Sequence, residues 1–461
     1  MAKSVAVVRS GGMLRNPPGE RGNRLFGVAP AFWEDPLQAL VEQWHRHGDV
    51  VRMPMGGPFY AYLLAHPDHV KLVLQDNNPR FGRHPHGSGA LKPTVGDGLL
   101  TSEGSFWLRQ RRLMQPAFHR QRLVGFGEVM TEEATAIVDG WGPKAARGEA
   151  VDVASDLMHL TLRVVARVMF SAEVTRGELD AVERAVGVTL LYSIKLSQSY
   201  LTLPLWLPLP LHRRFRSARA DLDRIVYRMI AERRQSGTNT GDLLAMLLAA
   251  RDAETGETMS DRQIRDEVMT IFLAGHETTA VALTWTCYLL SQHPDAAGRL
   301  KAELADVLAG RAPTVADLPR LPYTRAVIDE TLRLYPPAWI VTRMPLADEM
   351  IGDYRIATGA NIFMSPYLTH RHPEFWSEPD RFDPERFLGE GPERHRYAYF
   401  PFGGGPHLCI GNSFALLEAQ LVLATIAQRF DLDLAPGHPV AMHPLVTLRA
   451  RHGMRMLPRE R

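Results

Sequence analysis

Residues 400–411 read Phe400-Pro401-Phe402-Gly403-Gly404-Gly405-Pro406-His407-Leu408-Cys409-Ile410-Gly411, directly ahead of a long apolar-periodic segment from Asn412 to Phe430. Three consecutive glycines between two prolines make a tight loop whose backbone can approach a flat ligand closely. The helix that follows offers free N–H groups and a positive dipole end, which favour a thiolate over a thiol at Cys409. One usable cysteine does not make a tetrahedral zinc site. Iron held mainly by a macrocycle needs a single protein ligand, and thiolate ligation favours O–O cleavage. An inert buried cysteine beside a structural turn would be the simpler reading of a lone Cys; the loop around Cys409 argues against it. Cys287, in the apolar run LTWTCYLL, is expected to be a small core residue.

The remainder of the 461 residues has a globular composition, 45% apolar and 23% charged, which excludes disorder, collagen and coiled coil. With 53 basic against 51 acidic residues the net charge is +2, too little to recruit nucleic acid through a long-range field. Two cysteines cannot staple a chain of this length, so a reducing compartment fits. Residues 1–30 read as a polar N-terminal segment with no signal peptide or membrane anchor, and no run approaches the roughly 18 apolar residues needed to span a bilayer. The expectation is a soluble, cytoplasmic, monomeric protein.

Outward from the cysteine loop, the elements are mainly α-helical with small β-sheets. Asp35 caps a first helix to His47, with Pro36 at its first position and Gly48 ending it. VVRMPM and FYAYLLA, joined by Gly56-Gly57-Pro58, read as a hairpin. From Asp97 to about Leu334 the pattern is helical. IVTRM, DYRI and NIFMS read as short strands with Thr358-Gly359 as a turn, and VTLRA near the end is extended. Strand pieces from both ends around one helical body argue for a single domain over 31–461.

One helix breaks its own pattern. Ser260-Asp261-Arg262-Gln263 forms a capping box, and the helix continues to Gln292, roughly 48 Å at about 1.5 Å per residue. In its middle stand Ala274-Gly275-His276-Glu277-Thr278-Thr279. Gly costs about 1 kcal/mol against Ala there, and threonines compete for backbone carbonyls. The plain reading is a bend with satisfied hydroxyls; a rule broken inside a well-formed helix otherwise points to function.

Five motifs in order, over about residues 35 to 450, resemble those of the cytochrome P450 superfamily. Phe402, Gly405, Cys409 and Gly411 match its FxxGxxxCxG haem loop. Ala274-Gly275-x-Glu277-Thr278-Thr279 resembles its oxygen-activating groove. Glu330 with Arg333 is similar to its ExxR pair, Asp383-Pro-Glu-Arg386-Phe387 to its PERF segment, and Trp107-Leu-Arg-Gln-Arg111 to its WxxxR. The resemblance implies haem b (iron protoporphyrin IX) with Cys409 as proximal ligand. It also implies Trp107, Arg111, Arg343 and His407 near the propionates, and Ala274 and Gly275 leaving room for oxygen. Glu277 and Thr278 would relay protons. His407 departs from the family, where arginine is frequent two residues before the cysteine. Glu330, Arg333 and Arg386 are expected to be structural.

The implied reaction is hydroxylation of a hydrophobic small molecule with O2 and two electrons. The chain leaves no room for a fused reductase, so a ferredoxin with its reductase is the expected donor, docking near the basic set Arg109, Arg112, His119, Arg120 and Arg122. A solvated helix face explains that set equally well. TLRLYPPAWIVTRMPL leans towards terpenoid or carotenoid-like substrates; fatty-acid hydroxylation, a peroxide-driven reaction and a non-enzymatic haem sensor or carrier are the alternatives. Substrate contacts are expected in 84–106, 190–211, 339–341 and 445–447. The apolar stretch Leu201 to Leu211 with its basic collar suggests a lid that admits a greasy substrate or a peripheral membrane contact; packing between two helices explains it equally well.

Overall fold

The computed structural model describes residues 15–171, 176–199, 203–237, 241–251, 256–389 and 394–461. The first helices are Ala29–Glu34, which the sequence pattern did not reveal, and Pro36–His47, capped by the Asp35 carboxylate accepting from Gln38 N–H at 3.0 Å. Strands Val50–Gly56 and Phe59–Leu64 form the expected antiparallel hairpin. Phe59–Leu64 then pairs in parallel with Asn361–Met364, so the two ends of the chain share a five-stranded sheet completed by Val341–Pro345 and Phe81–Gly82. A second junction of distant segments is the three-stranded sheet in which Arg455–Glu460 lies between Val151–Asp152 and Phe430–Leu434.

The central helix, Asp261–Gln292, runs 32 residues with the expected capping box. Most of its side chains are buried on every side, which is why it reads as apolar beyond one stripe. It packs on the Val153–Phe170 helix, where a Cβ at Gly275 would stand 3.0 Å from Val165 Cγ2. Small size at 275 therefore permits close helix approach as well as space over the cavity. At the far end Trp285 stacks on Tyr335 at 4.3 Å and donates its indole N–H to the Leu448 carbonyl at 2.8 Å. Cys287 is buried in the core, and burial pushes its thiol up to about 12.

Glu330 and Arg333 lie on the Pro322–Leu334 helix, both fully buried, and meet in two contacts of 2.7 and 2.8 Å. Arg333 also donates to the carbonyls of His370 and Arg381 at 3.0 Å, and Glu330 accepts from Asp383 N–H at 2.8 Å. Arg386 stands 3.5 Å from Glu330. A buried pair is tolerated only when the remaining donors and acceptors are filled; here they tie the segment ahead of the cysteine loop to the core.

Candidate active site

The cysteine loop is fixed by backbone that only glycine accepts. Gly405 has φ +64°, and a Cβ there would lie 1.9 Å from the Leu74 carbonyl oxygen. A Cβ on Gly404 would stand 2.4 Å from the Tyr397 ring. Cys409 N–H donates to Phe402 O at 3.0 Å, closing the turn and presenting the sulfur to a cavity of about 860 Å3. The residue is open to that cavity, yet protein surrounds it. Burial pushes the Cys409 thiol up, against the expectation from the helix end alone; the Gly411 N–H and the Arg111 charge pull the other way but do not win. A metal bound there would deprotonate the thiol outright.

At one edge of the cavity the expected propionate residues Trp107, Arg111, Arg343 and His407 come together. The Trp107 and His407 rings are 3.9 Å apart, and Arg111 lies over Trp107 at 5.7 Å. The sequence did not reveal the fifth member, Arg83. It donates to Ser102 O at 3.1 Å and stands 3.3 Å from His407 Nδ1; its location in a loop of no recognisable motif hid it. None of the three arginines is within ion-pair distance of a carboxylate among the described residues. Burial lowers Arg83 and Arg111 and brings Arg343 down to about 10. His407 falls to about 3, first through burial and then through the neighbouring arginines, so it is neutral at physiological pH. Buried cations without anions are costly. The two propionates of a haem would supply the missing negative charge, and arginine suits planar carboxylate oxygens. Together with the cysteine loop, this donor set fits a haem.

Across the cavity stands the central helix. Ala274, Gly275, Glu277 and Thr278 all line the space. Thr278 Oγ1 donates to Ala274 O at 2.7 Å, the back-bond that bends a helix. Glu277 is 2% exposed and turned from Thr278: Arg449 Nε donates to it at 2.7 Å and Thr447 Oγ1 donates to the same oxygen. Burial alone would raise this carboxyl, but Arg449 and then Thr447 outweigh it and hold the group below its ordinary value. The structure thus brings Glu277 to the cavity already ionised and paired, with Thr447 and Arg449 as partners that the sequence did not indicate.

The wall is largely apolar. Leu91 and Leu99 come from the 84–106 region, Ser193, Ile194 and Ser197 to Ser199 from the next expected segment, and Trp339 to Val341 and Leu445 to Thr447 from the last two. One expectation needs correcting, and one contact was not foreseen. Leu201 and Thr202 lie outside the described residues, and none of 203–211 lines the cavity; Leu203, Trp206 and Leu209 are instead exposed on the surface. The N-terminal hairpin, with Met55 and Phe59 to Ala61, borders the cavity although nothing in its sequence marked it. Of the basic set, Arg109 pairs with Glu257 at 3.2 Å and Arg122 donates to Gly241 O at 2.6 Å, so both serve the chain's own packing. The Arg120 side chain lies outside the described residues.

A cysteine-centred cavity, crossed by a long helix and edged by uncompensated arginines, defines a haem-thiolate oxygenase. The cytochrome P450 family model matches residues 17–451, and the chain belongs to that family. It is 40% identical over 415 residues, 90% of this chain and 88% of the relative, to cyclooctat-9-en-7-ol 5-monooxygenase of Streptomyces melanosporofaciens. It is 37% identical over 429 residues, 92% and 93% of the two chains, to pentalenene oxygenase of Streptomyces avermitilis. Among solved structures, the haem domain of cytochrome P450DA matches with TM-score 0.85 and 30% identity over 97% of this chain and 98% of that one. The protein is therefore a haem monooxygenase acting on a hydrophobic substrate with O2 and a redox partner. Bound in the cavity, the haem supplies the iron that takes up and activates dioxygen. The cavity's own residues form a largely apolar wall, with the arginines at one edge and Glu277 and Thr278 on the central helix opposite. Among the described residues no helix is long and apolar enough to cross a membrane.

Proposed function

We propose that the enzyme hydroxylates a cyclic terpenoid, taking electrons from a ferredoxin and its reductase, and that residues 31–461 act as one domain. In this reading Cys409 is the proximal ligand; Trp107, Arg111, Arg343, His407 and Arg83 seat the propionates; Phe402 and Gly411 shape the loop; Ala274 and Gly275 leave room for oxygen. Glu277 and Thr278 relay protons once Arg449 releases the carboxylate. The observation that carries the substrate class is the charge distribution in the cavity. Its only cations among the described residues, Arg83, Arg111 and Arg343, are gathered around His407, leaving none for a fatty-acid carboxylate. Pentalenene and cyclooctat-9-en-7-ol, for which the two Streptomyces relatives are named, are apolar and cyclic, in agreement with that wall. The surface left for the substrate is built from Leu91, Leu99, Val165, Met169 and Ile271.

The test is a haem-absorption titration of the purified ferric protein with pentalenene, cyclooctat-9-en-7-ol and a long-chain fatty acid. A saturable shift to high spin with a terpenoid is expected. A shift with the fatty acid alone would overturn the substrate class.

A further inference from the structure

Several hydroxyls around the cavity are spent within the chain. Ser193 donates to Thr189 O at 3.1 Å, Ser197 to Ile194 O at 2.8 Å and Thr270 to Asp266 O at 2.7 Å. The loop 84–88 differs. His84 brings no charge to it at neutral pH: its Nδ1 accepts from His86 N–H at 3.1 Å, and burial pushes the ring down to about 4. His86 also lines the cavity, with its Nδ1 3.4 Å from Leu196 O. A carbonyl only accepts, so Nδ1 carries the proton of the neutral ring and Nε2 is left as an acceptor. Nε2 has no partner among the described residues. Leu196 belongs to the last turn of the Arg176–Ser197 helix. Gln198, directly after that helix, reaches the same cavity with a side-chain amide unpartnered among the described residues. Gly87 keeps the loop against the Val341–Pro345 strand, since a Cβ there would lie 2.1 Å from Thr342 Oγ1.

We propose that His86 and Gln198 recognise a hydroxyl on the substrate, and that the enzyme acts on a terpenoid that is already an alcohol; this rests on the terpenoid class proposed above. His86 Nε2 accepts the substrate O–H, and the Gln198 amide donates to its oxygen. A hydrocarbon, a ketone and a carboxylate have no donor to offer Nε2, whereas an alcohol offers a donor and an acceptor together. In a largely apolar cavity a few placed polar groups fix the orientation of the ligand. A ligand without the hydroxyl leaves both groups dry and unpaired, and so binds less well. The reaction that supplies the substrate is then one that places a hydroxyl on the terpenoid skeleton. Capture of water by a terpenoid carbocation and an earlier hydroxylation both do so.

The experiment titrates the ferric holoenzyme at neutral pH and reads the shift to high spin. Two matched pairs serve as probes: cyclooctat-9-en-7-ol with its 7-deoxy hydrocarbon, and cedrol with cedrane. An alcohol is expected to bind roughly tenfold more tightly than its hydrocarbon. His86→Leu should bring that ratio close to one by weakening the alcohol alone, and Gln198→Leu should lower it in part. His86→Gln, which keeps an acceptor, should recover some of the preference. If His86→Leu does not fold or load haem, Gln198→Leu and His86→Gln decide through the same ratio. No discrimination in either pair, or a preference for the alcohols that every loaded variant leaves unchanged, would overturn this assignment and leave the terpenoid class standing. No high-spin shift with any of the four compounds would overturn both.

Discussion

Glu277 and Arg449 form the ion pair that closes the distal side of the cavity, at 2.7 Å, with the carboxylate 2% and the guanidinium 30% exposed. Removing the arginine strands a buried carboxylate. Arg449→Ala should therefore destabilise the protein by about 2–3 kcal/mol, below the ~3–5 kcal/mol of a fully buried pair because Arg449 is partly hydrated. Glu277→Gln in the same background should restore part of the loss. Because Glu277 is held below its ordinary value in the folded state, its contribution is intact above the ordinary carboxylate range and lost as the pH falls through the folded value. Urea unfolding of the parent and both variants between neutral and acid pH checks this; a parent and an Arg449→Ala variant with parallel acid profiles would contradict it.

His370 provides a second pH signature. It is fully buried, accepts from Phe400 N–H at 2.9 Å through Nε2, and is pushed down to about 3 by burial and by Arg333. In the unfolded chain an ordinary histidine takes a proton near pH 6.5. Between those values the unfolded state binds more protons, so stability falls as the pH drops from about 6.5 towards 3. His370→Asn, compared with the parent by urea unfolding at neutral and at mildly acid pH, should lose less between the two. An equal loss would show that another group sets the slope.

The features most legible in the sequence are those that break a local rule. The glycine run before Cys409 and the interrupted pattern at 274–279 both stand where the structure places the cavity. The capping box at Ser260 and the cap at Asp35 read correctly because a cap is a contact between residues three apart. Contacts made across the fold were invisible for the opposite reason. Arg83 meets His407 from 324 positions away, and Arg449 meets Glu277 from 172. Nothing in either arginine's neighbours marks it. Of the expected 190–211 segment only the part up to Ser199 lines the cavity, while Leu203, Trp206 and Leu209 are exposed, because hydrophobicity does not say which surface a side chain faces.

Gly405 tests how far the haem site depends on backbone. Its φ of +64° disfavours any side chain, and a Cβ there would meet the Leu74 carbonyl, which is backbone and cannot swing aside. Gly405→Ala must displace either the Cys409 loop or the 72–76 segment. The expected result is a folded but haem-poor protein with a weakened thiolate absorption, measured as the haem-to-protein ratio after reconstitution. Cys409→Ser should keep the loop and lose the thiolate spectrum altogether. A retained thiolate spectrum in Cys409→Ser would remove the ligand assignment.

Arg83 and His407 divide a task between them. In the haem-free chain burial and the three arginines hold His407 neutral, and its ring packs at a tilt against Trp107. Arg83, 3.3 Å from it, supplies the charge. A hydrogen bond to a charged group contributes about 1.5–3 kcal/mol, so Arg83→Ala should speed haem transfer to apomyoglobin roughly tenfold to a hundredfold. Arg343→Ala should act in the same direction, since its guanidinium is buried at the same edge. His407→Arg alone crowds a fourth cation against three that already lack carboxylate partners, and should lower the stability of the haem-free chain. In the Arg83→Ala background the same change returns the lost charge to the same place, so the double variant should hold haem better than Arg83→Ala. A double variant that loses haem faster than Arg83→Ala would mean that position 407 needs a neutral ring, with Arg83 acting elsewhere.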